Sequence, residues 1–483
     1  MAESPFPWIQ DGIRGDVPIN FFPAADSEKK VILHGTPGLS TLATLTNCSE
    51  VRGITDWAGY LYAVANRGGT SVLWRVSTSG TISELGTFTT SSTGPVWFAK
   101  NATQLLIVDG VGAYVFTPAT GVFVTVILLD YDGNGNASAA AAAYQDTYGL
   151  FVQGSNSIRW YFSGGNDFTV MNSLDTYTKV GQPDPLVTIF SHLREVWLFG
   201  QHTTEVWYDA GGDNTSQTNP TFARNTGGLL EEGCGAAATP ASGKGLPLTW
   251  LSDTGKILQA IGYTPKEVTN EMFSRSVQGV PGDPKYPGWP ILSDCIAFSY
   301  TDVGHTFYQL SSPSGNQTWC VDVTTGAFFK KQSWQSGEGN GRHRANCYAR
   351  LGNKHYVGDY SNGIVYEMSM EYYDDAGEEI IRVLHSKELD AGLQFTSWPD
   401  VQIEVDAGVG VPLSQNPSII LNITNDGGNT WSADQQRFTG LTGQYTYRAI
   451  WRRVGGSFRR MYRATMSDRI LWRVLAMNWE GAK

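Results

Sequence analysis

The most specific chemical pattern in this chain is TNDGGNTW, residues 424–431. It fits the Asp-box pattern S/T-x-D-x-G-x-T-W at every fixed position, namely Thr424, Asp426, Gly428, Thr430 and Trp431. Asp-boxes occur in sialidases, which cleave sugars, and in many proteins that cleave nothing. An Asp side chain can accept hydrogen bonds from the backbone of its own turn, and Gly permits a positive φ. The pattern therefore predicts a structural turn, with Trp431 packed under the hairpin, and does not require catalysis.

A degenerate second copy of this pattern, YTDVGHTF, spans residues 300–307, with Tyr300 in the Ser/Thr position. Its matching positions are Asp302, Gly304, Thr306 and Phe307. A sialidase also needs an arginine cluster, a Tyr–Glu nucleophile pair and an acid/base Asp, and no motif places these residues. The sequence favours a protein that is not an enzyme. The alternative is an Asp-box propeller that binds or cleaves surface glycans.

The sequence gives little support to a metal site or a cofactor. In LDYDGNGNASAA (129–140) the acidic residues imitate the start of an EF-hand loop, but position twelve is Ala141, where a bidentate Glu is required. A hairpin turn is the better interpretation. The cysteines are odd in number and far apart, which predicts free thiols and no zinc site. They are Cys48, Cys234, Cys295, Cys320 and Cys347.

The strongest chemical feature is a cluster of arginines and aromatic residues near the C-terminus. Residues 437–483 hold ten of the 34 basic residues but only two of the 45 acidic ones, which leaves 24 and 43 for the rest of the chain. Three interpretations are open: an interface to an acidic protein or a neighbouring subunit, a nucleic-acid surface, or an ordinary solvated strand face. The acidic body favours the protein interface. The candidate docking residues are Arg452, Arg453, Arg459, Arg460, Arg463, Arg469, Trp451 and Tyr462.

The elements that must position these residues are strands. Charged residues make up only 16% of the chain, while Gly (55 residues) and aromatic residues (12%) are abundant, which suits short strands and tight turns. Helical periodicity is almost absent. Three segments share the form strand, polar turn ending in Gly, strand, and IVYEMS (364–369) resembles the first half of a fourth. The three complete ones are LWRVSTSGTI (73–82), YVFTPATGVF (114–123) and WCVDVTTGAF (319–328).

We predict an all-β chain of four parts. Residues 1–45 form an extended N-terminal arm, 46–370 a degenerate β-propeller whose blade number is not predicted, 371–400 an acidic linker, and 401–483 a basic antiparallel sandwich-like domain that carries the Asp-box. No apolar run reaches the roughly 18 residues that a membrane span needs. The N-terminal residues lack the pattern of a secretory signal peptide.

Several segments, in this order, resemble the tail-hub or nozzle proteins of short-tailed bacteriophages, also called packaged-DNA stabilisation proteins. Together they cover most of the chain from about 19 to 468. Among them are INFFPAAD (19–26), REVWLFGQHTTEVWYDAGG (194–212), TFARNTGGLLEEGCGA (221–236), HRANCYARLGNKHYVGDYSNGIVYEM (343–368) and YRAIWRRVGGSFRRMYRATMSD (447–468).

The resemblance implies a virion protein that is assembled in the host cytoplasm. Such proteins form a homohexameric ring below the head-to-tail adaptor, which extends the DNA channel, helps to retain packaged DNA and offers sites to tail fibres, tailspikes, a plug or a needle. Both Asp-box segments are then structural turns. The acidic body agrees with this role, because an acidic lumen lets double-stranded DNA pass without binding it.

Overall fold

The computed structural model describes residues 17–25, 31–90, 93–128, 138–154, 156–213, 220–242, 247–335, 337, 339–390, 394–409 and 416–479. These residues form two β domains, a propeller followed by a sandwich, so the predicted fold class is confirmed. The first three strands lie far in sequence from the other strands of their sheets, and they contribute to both domains. They are β1 (Phe21–Ala25), β2 (Val31–Gly35) and β3 (Gly38–Thr44).

The first four propeller blades are antiparallel sheets of four strands each. The predicted hairpins at 73–82 and 114–123 lie in blades 1 and 2, which confirms both. Blade 1 contains β4 (Glu50–Trp57), β5 (Tyr60–Arg67), β6 (Thr70–Val76) and β7 (Ile82–Thr87); blade 2 contains β8 (Trp97–Lys100), β9 (Leu105–Val108), β10 (Ala113–Thr117) and β11 (Val122–Val126); blade 3 contains β12 (Ala139–Gln145), β13 (Tyr148–Gln153), β14 (Arg159–Gly164) and β15 (Asp167–Thr178); blade 4 contains β16 (Leu186–His192), β17 (Glu195–Gly200), β18 (Thr204–Asp209) and β19 (Phe222–Leu230).

Three further blades bring the described propeller to seven. Blade 5 is followed by α1 (Glu271–Gln278), which begins where the Asn270 side chain accepts a hydrogen bond from the Phe273 N–H. The predicted hairpin at 319–328 lies in blade 6. Blade 5 contains β20 (Thr249–Leu251), β21 (Ile257–Ile261) and β22 (Thr264–Glu267); blade 6 contains β23 (Ile296–Asp302), β24 (His305–Ser312), β25 (Gln317–Asp322), β26 (Phe328–Gln335) and β27 (Gly339–Arg342); blade 7 begins with β28 (Ala345–Leu351), β29 (Lys354–Asp359) and β30 (Ile364–Ser369).

The fourth strand of blade 7 comes from the N-terminal part of the chain. Strand β3 pairs antiparallel with β30, and Leu39 lies opposite Met368. This explains why IVYEMS, the sequence of β30, is not followed by a second strand of the same hairpin. Its partner β3 lies near the start of the chain, before blades 1 to 6. Two short strands, β31 (Asp374–Asp375) and β32 (Glu378–Glu379), continue the sheet beyond β3.

Apolar side chains fill the spaces between neighbouring blades. One cluster joins blades 7 and 1 through Tyr356, Val51 and Trp74, and another joins blades 4 and 5 through Phe199 and Trp250. A single hairpin cannot bury its own apolar face, so each blade depends on the next. Full burial of one such large side chain contributes about 1.5–3 kcal/mol.

The C-terminal domain packs two sheets over one apolar core. One sheet has the order β1-β2-β42-β36-β39 and the other β33-β41-β37-β38. Trp451 and Leu33 of the first sheet, with Trp472 just before β42, meet Ile419 and Tyr462 of the second sheet. The strands are β33 (Arg382–His385), β34 (Leu389–Asp390), β35 (Thr396–Ser397), β36 (Asp400–Val405), β37 (Ser418–Thr424), β38 (Gln435–Phe438), β39 (Ala449–Arg452), β40 (Gly456–Ser457), β41 (Arg459–Met466) and β42 (Arg473–Trp479).

The described part of the predicted N-terminal arm is built into both domains. The β1–β2 hairpin belongs to the sandwich, because β2 pairs with β42, whereas β3 belongs to blade 7. The predicted linker, residues 371–400, likewise contains strands β31 to β35, of which β33 is part of a sandwich sheet. Backbone groups in both segments therefore find partners in the sheets, and neither segment is a free connection between domains.

Candidate functional site

The Asp-box turn uses its carboxylate for its own structure. Asp426 accepts hydrogen bonds from the backbone N–H of Asn429 (2.9 Å) and of Thr430 (3.0 Å), and from the hydroxyls of Thr424 (2.6 Å) and Thr430 (2.6 Å). The N–H of Gly428, at φ 88°, donates to the Thr424 hydroxyl. The hydroxyls of Thr424 and Thr430, and the two N–H groups, hold the pKa of the Asp426 carboxyl well below its usual range. This geometry is that of the predicted structural turn.

Trp431, the last residue of the Asp-box, packs against two residues of the sandwich. The Arg463 guanidinium lies 4.5 Å from the centre of the Trp431 ring, and the His385 ring lies 5.9 Å away. Arg463 also donates to the Asn422 side-chain oxygen at 3.2 Å. On the propeller side, the Lys285 ammonium group lies 3.4 Å from the Gly427 carbonyl oxygen. The Asp-box turn is therefore part of the contact between the two domains.

The degenerate copy at 300–307 forms a different turn. Asp302 and His305 face each other across a two-residue hairpin turn made by Val303 (φ 49°) and Gly304 (φ 80°). Phe307 is buried in the core between blades 6 and 7, and the Thr306 hydroxyl bonds to that of Thr301 at 2.8 Å. None of the hydrogen bonds seen among the described residues joins the Asp302 carboxylate to this turn. The segment resembles an Asp-box in sequence but not in geometry.

Three of the predicted docking residues are buried, which corrects that prediction. Trp451 and Tyr462 are completely inaccessible in the sandwich core. Arg460 is only 2% exposed, and its guanidinium donates to the Val454 carbonyl (2.9 Å) and to the Asn425 side chain (3.1 Å). These side chains hold the sandwich together and offer no surface to a partner.

Three further arginines of that set contact groups within the chain. Arg463 bonds to Asn422 and lies over Trp431, as described above. Arg459 lies 3.4 Å from Glu388, and Arg469 lies 3.5 Å from Asp374 in the linker. Arg452 and Arg453 are exposed. Six of the eight predicted docking residues therefore make contacts within the chain, and Arg452 and Arg453 are the two others, which are exposed.

Three exposed arginines of the C-terminal domain, Arg437, Arg448 and Arg452, lie together at one edge of the sandwich. Strand β38 ends one sheet and β39 ends the other, and Arg437 of β38 donates to the Ile450 carbonyl of β39 at 3.3 Å. A groove of about 670 Å³ runs along this edge. We call its polar and aromatic lining the arginine edge: Arg437, Phe438, Tyr447, Arg448 and Arg452.

Of the five residues in the arginine edge, only Arg452 was among the residues predicted from the sequence. The predicted surface begins at Trp451, because from there arginines and aromatic residues alternate closely. A signal for the others exists, since no acidic residue and no lysine occurs between Gln435 and Ser467. That longer acid-free run includes Arg437 and Arg448.

A second concave site lies at the centre of the propeller, where the innermost strands of the blades meet. It is lined by Trp97, Tyr144, Phe298 and Tyr348 among others, and has an open volume of about 1150 Å³. The guanidinium of Arg52, at the wall of this site, is hydrogen-bonded within the chain. It donates to the Gly94 carbonyl (2.8 Å) and to further acceptors. This volume is close to that of small-molecule pockets and is far too small for a DNA duplex.

In the described part of the chain, no group of three or more His, Cys, Asp or Glu side chains is arranged to hold a metal ion. Most of the EF-hand-like segment, residues 129–137, lies outside the described residues. The five cysteines are free thiols. Over the same residues, no helix has the length and apolar composition needed to cross a membrane.

Two family models match this chain, one for each domain. Residues 13–373 match the model described as bacteriophage P22 Gp10, beta-propeller, and residues 382–479 match the model described as bacteriophage P22 Gp10, beta-sandwich. The order of the two matches agrees with the two domains of the structure, although the propeller match also includes β1 and β2, which pair within the sandwich. Fold and matches together define a structural protein of a bacteriophage. The chain belongs to the bacteriophage P22 Gp10 family.

Three solved structures match about two thirds of the chain's length. The computationally designed Ika8 protein is 12% identical, with a TM-score of 0.38, and the match covers 68% of this chain and 99% of that one. Virginiamycin B lyase from Staphylococcus aureus is 8% identical (TM-score 0.43; 67% and 96% covered), and the RRP9 WD40 repeats are 8% identical (TM-score 0.45; 69% and 99% covered). No curated protein sequence matches this chain.

Proposed function

We propose that this chain is a non-enzymatic subunit of the phage tail nozzle. In this role six copies form a ring below the head-to-tail adaptor, extend the DNA channel, help to retain packaged DNA, and carry tail fibres, tailspikes or a plug. The observation that carries the proposal is the pair of family matches, which together span residues 13–373 and 382–479 in the order of the two domains.

The charge distribution supports a channel through which DNA slides. Outside residues 437–483 the chain has 43 acidic residues against 24 basic ones. A surface of that sign repels phosphates, whereas clustered basic residues would hold the duplex by releasing its counterions. Because the propeller cavity is too small for a duplex, the channel in this proposal lies between subunits, along their outer surfaces.

The test of this function is electron microscopy of the particles that carry the protein, reconstructed without imposed symmetry. The proposal expects six copies around a duplex-wide channel below the head, with DNA passing between propellers. A monomer or dimer on the particle, or a location away from the channel, would contradict it. The same map would identify the acidic residues that face the lumen.

The glycan alternative gains no support from the Asp-box, because the carboxylate of Asp426 is bonded on both oxygens within its own turn. A sialidase assay on the purified protein tests this alternative directly. Turnover that is abolished by replacing an acidic residue at the mouth of the propeller cavity would overturn the assignment as a non-enzymatic protein.

A further inference from the structure

Strand β11 forms the outer edge of blade 2. The sheet has the order β11-β10-β9-β8, so β11 pairs with β10 on one side, and no strand of the described residues pairs with it on the other. A strand at the end of a sheet presents a row of backbone N–H and C=O groups that can pair with another chain. Every blade has such an outer strand, so the side chains decide whether a partner strand can pair with it.

The side chains of β11 lack the charges that protect an edge strand. The segment from Gly110 to Leu129 contains no Asp, Glu, Lys or Arg, and β11 itself contains no Pro. Charged side chains, above all Lys, and Pro are the usual means by which edge strands avoid pairing. The other six outer strands each contain a charged residue: Glu84 in β7, Asp175 in β15, Arg224 in β19, Lys266 in β22, Arg342 in β27 and Glu378 in β32.

Exposed apolar side chains follow this edge. Val122 and Val124 are 46% and 38% exposed, and because side chains alternate along a strand they lie on the same face of the sheet as Val126. Val126 is buried in the core between blades 2 and 3, whereas Phe123, on the opposite face, stacks on Tyr114. A strand added beside β11 would therefore extend an apolar layer that already exists.

We propose that β11 accepts a strand from a second virion protein, namely an extended segment of about five residues, the length of β11 itself, that carries no charge and has β-branched side chains at alternate positions. Backbone hydrogen bonds hold the partner in the extended conformation, and Val122 and Val124 favour β-branched side chains opposite them. The uncharged edge favours an uncharged segment, because a charge that is buried without a partner costs free energy.

Symmetry argues against a second copy of this chain as the occupant. Two copies that pair through the same edge of β11 are related by a twofold axis, and such an isologous contact joins only two subunits. Neighbours in a cyclic ring instead meet through two different surfaces. The choice of occupant therefore rests on the proposed function, because self-pairing of β11 cannot supply the contacts between neighbours in the nozzle ring.

Hydrogen exchange measures whether the edge is covered. The backbone amides of residues 122–128 are compared in the isolated protein and in the particle that carries it, with β7 of blade 1 as the control strand. We expect exchange in β11 to be about ten times slower in the particle, or slower still, because amides that point away from β10 gain partners, while β7 changes less. Exchange of β11 at the same rate in both samples would overturn the inference.

The identity of the occupant is tested by cross-linking within the particle. Thr125→Cys places a thiol at an exposed position of β11, and a thiol-linked photoreactive probe on it is activated in particles assembled from isotopically light and heavy copies. The wild type receives the same probe, because its Cys48 and Cys347 are half-buried and can react as background. Cross-links that require Thr125→Cys and reach an uncharged, β-branched segment of a different virion protein support the inference.

Two other cross-linking patterns contradict the inference. Cross-links between light and heavy copies of residues 119–128 identify a second copy of this chain as the occupant. Cross-links confined to other residues of the same copy show that the chain covers its own edge.

A matched pair of lysine substitutions tests the role of the side chains. Val122→Lys adds a charge to β11, and Val111→Lys adds the same charge to the turn between β9 and β10 of the same blade; both valines are 46% exposed. We expect Val122→Lys to lower the cross-link yield from Thr125→Cys by about tenfold or more, because Lys on an edge strand opposes pairing. Val111→Lys should leave the yield unchanged, and an equal yield in the two variants rules out docking at this edge.

A milder substitution keeps the test valid if Val122→Lys does not fold. Val124→Thr keeps the β-branched shape but replaces a methyl group by a hydroxyl, and thermal unfolding of the isolated protein shows whether the blade is intact. We expect this variant to melt near the wild-type temperature and to give a lower cross-link yield. An unchanged yield in the folded variant would count against the inference.

The inference and the function on which it rests can fail separately. A ring of six copies in which β11 exchanges as freely as in the isolated protein overturns the docking edge and leaves the nozzle assignment in place. Protection of β11 by a different virion protein, at a location away from the DNA channel, contradicts the nozzle assignment and supports the docking edge.

Discussion

Asn20 and Gln332 exchange two hydrogen bonds although they lie 312 positions apart in the sequence. The Asn20 side-chain N–H group donates to the Gln332 carbonyl at 2.9 Å, and the Gln332 backbone N–H donates to the Asn20 side-chain oxygen at 2.9 Å. Asn20 also donates to the Ile381 carbonyl at 2.8 Å. One buried amide thus joins the N-terminal segment, blade 6 and the start of the sandwich.

We expect Asn20→Ala to lower the free energy of unfolding by roughly 3 kcal/mol, because three half-buried backbone groups lose their partner. Part of the loss comes from the backbone, since Asn20 has φ 56°, a conformation that Asn tolerates better than Ala. Chemical unfolding of Asn20→Ala and Asn20→Gly separates the two causes. Full recovery of stability in the Gly variant would show that the hydrogen bonds contribute little.

The closing strand of the propeller offers a second test. Leu39→Ala removes a completely buried side chain of β3, and we expect a loss of about 2–5 kcal/mol, as for other large-to-small core changes. Hydrogen exchange should accelerate most in β3 and β30, because the seam of the ring is weakened. The matched control is Leu105→Ala, equally buried in β9, where the acceleration should centre on blades 1 and 2. The same exchange pattern in both variants would show that Leu39→Ala does not weaken the β3–β30 pairing selectively.

Buried His343 should make stability depend on pH. Desolvation by burial, together with the nearby charges of Lys331 and Arg344, holds the pKa of His343 well below its usual value. The Ala345 N–H donates to its Nδ1 atom, as suits a neutral ring. In the unfolded chain the residue gains a proton near pH 6.5, so the folded state loses stability as the pH falls below that value, by up to about 1.4 kcal/mol per pH unit.

We expect His343→Gln to flatten the dependence of unfolding free energy on pH between about pH 6.5 and 5. Glutamine keeps an acceptor for the Ala345 N–H but does not titrate. Urea unfolding at a series of pH values provides the measurement. A slope in the variant equal to that of the wild type would show that other groups dominate in this range.

The Asp-box gives a second prediction on pH dependence, in which the titrating group is an acid and not a base. The pKa of the Asp426 carboxyl is depressed in the folded protein by the hydroxyls of Thr424 and Thr430. Its stabilising contribution is therefore present above the unfolded pKa, near 3.9, and is lost as the pH falls toward the folded value. We expect Asp426→Asn to lower the melting temperature at neutral pH, with a difference from the wild type that shrinks in acid.

A matched control for this substitution is Asp302→Asn in the degenerate copy. That turn is formed by Val303 and Gly304, so the change should lower the melting temperature less than Asp426→Asn does. Equal effects of the two substitutions would contradict a special stabilising role for the four hydrogen-bond donors that surround Asp426.

Much of the fold could be predicted from local patterns. Each complete strand–turn–strand segment in the sequence became two neighbouring strands of one blade, because its turn residues and its apolar alternation act locally. The position of β3 could not be predicted in this way. Its sequence, GLSTLAT, is short and weakly apolar, and its partner β30 lies at the other end of the propeller.

The candidate site was predicted less well than the fold, for a physical reason. Alternation along a strand says that neighbouring side chains point to opposite faces, but not which face is buried. Strand β41 has neighbours on both sides and is covered on both faces, so Arg460 is buried beside Met461 and Tyr462. The arginine edge lies instead on two end strands of the sheets and on the residues just before β39, a position that only the topology reveals.

The supply of β3 from the N-terminal segment has a consequence during synthesis of the chain. At roughly 5–20 residues per second, β3 emerges from the ribosome some tens of seconds before β30, its partner in blade 7. During that interval blades 1 to 6 can form, but the ring of blades stays open and its terminal faces are exposed. We therefore expect the nascent chain to need protection from aggregation, for example by a chaperone, until the seventh blade has been translated.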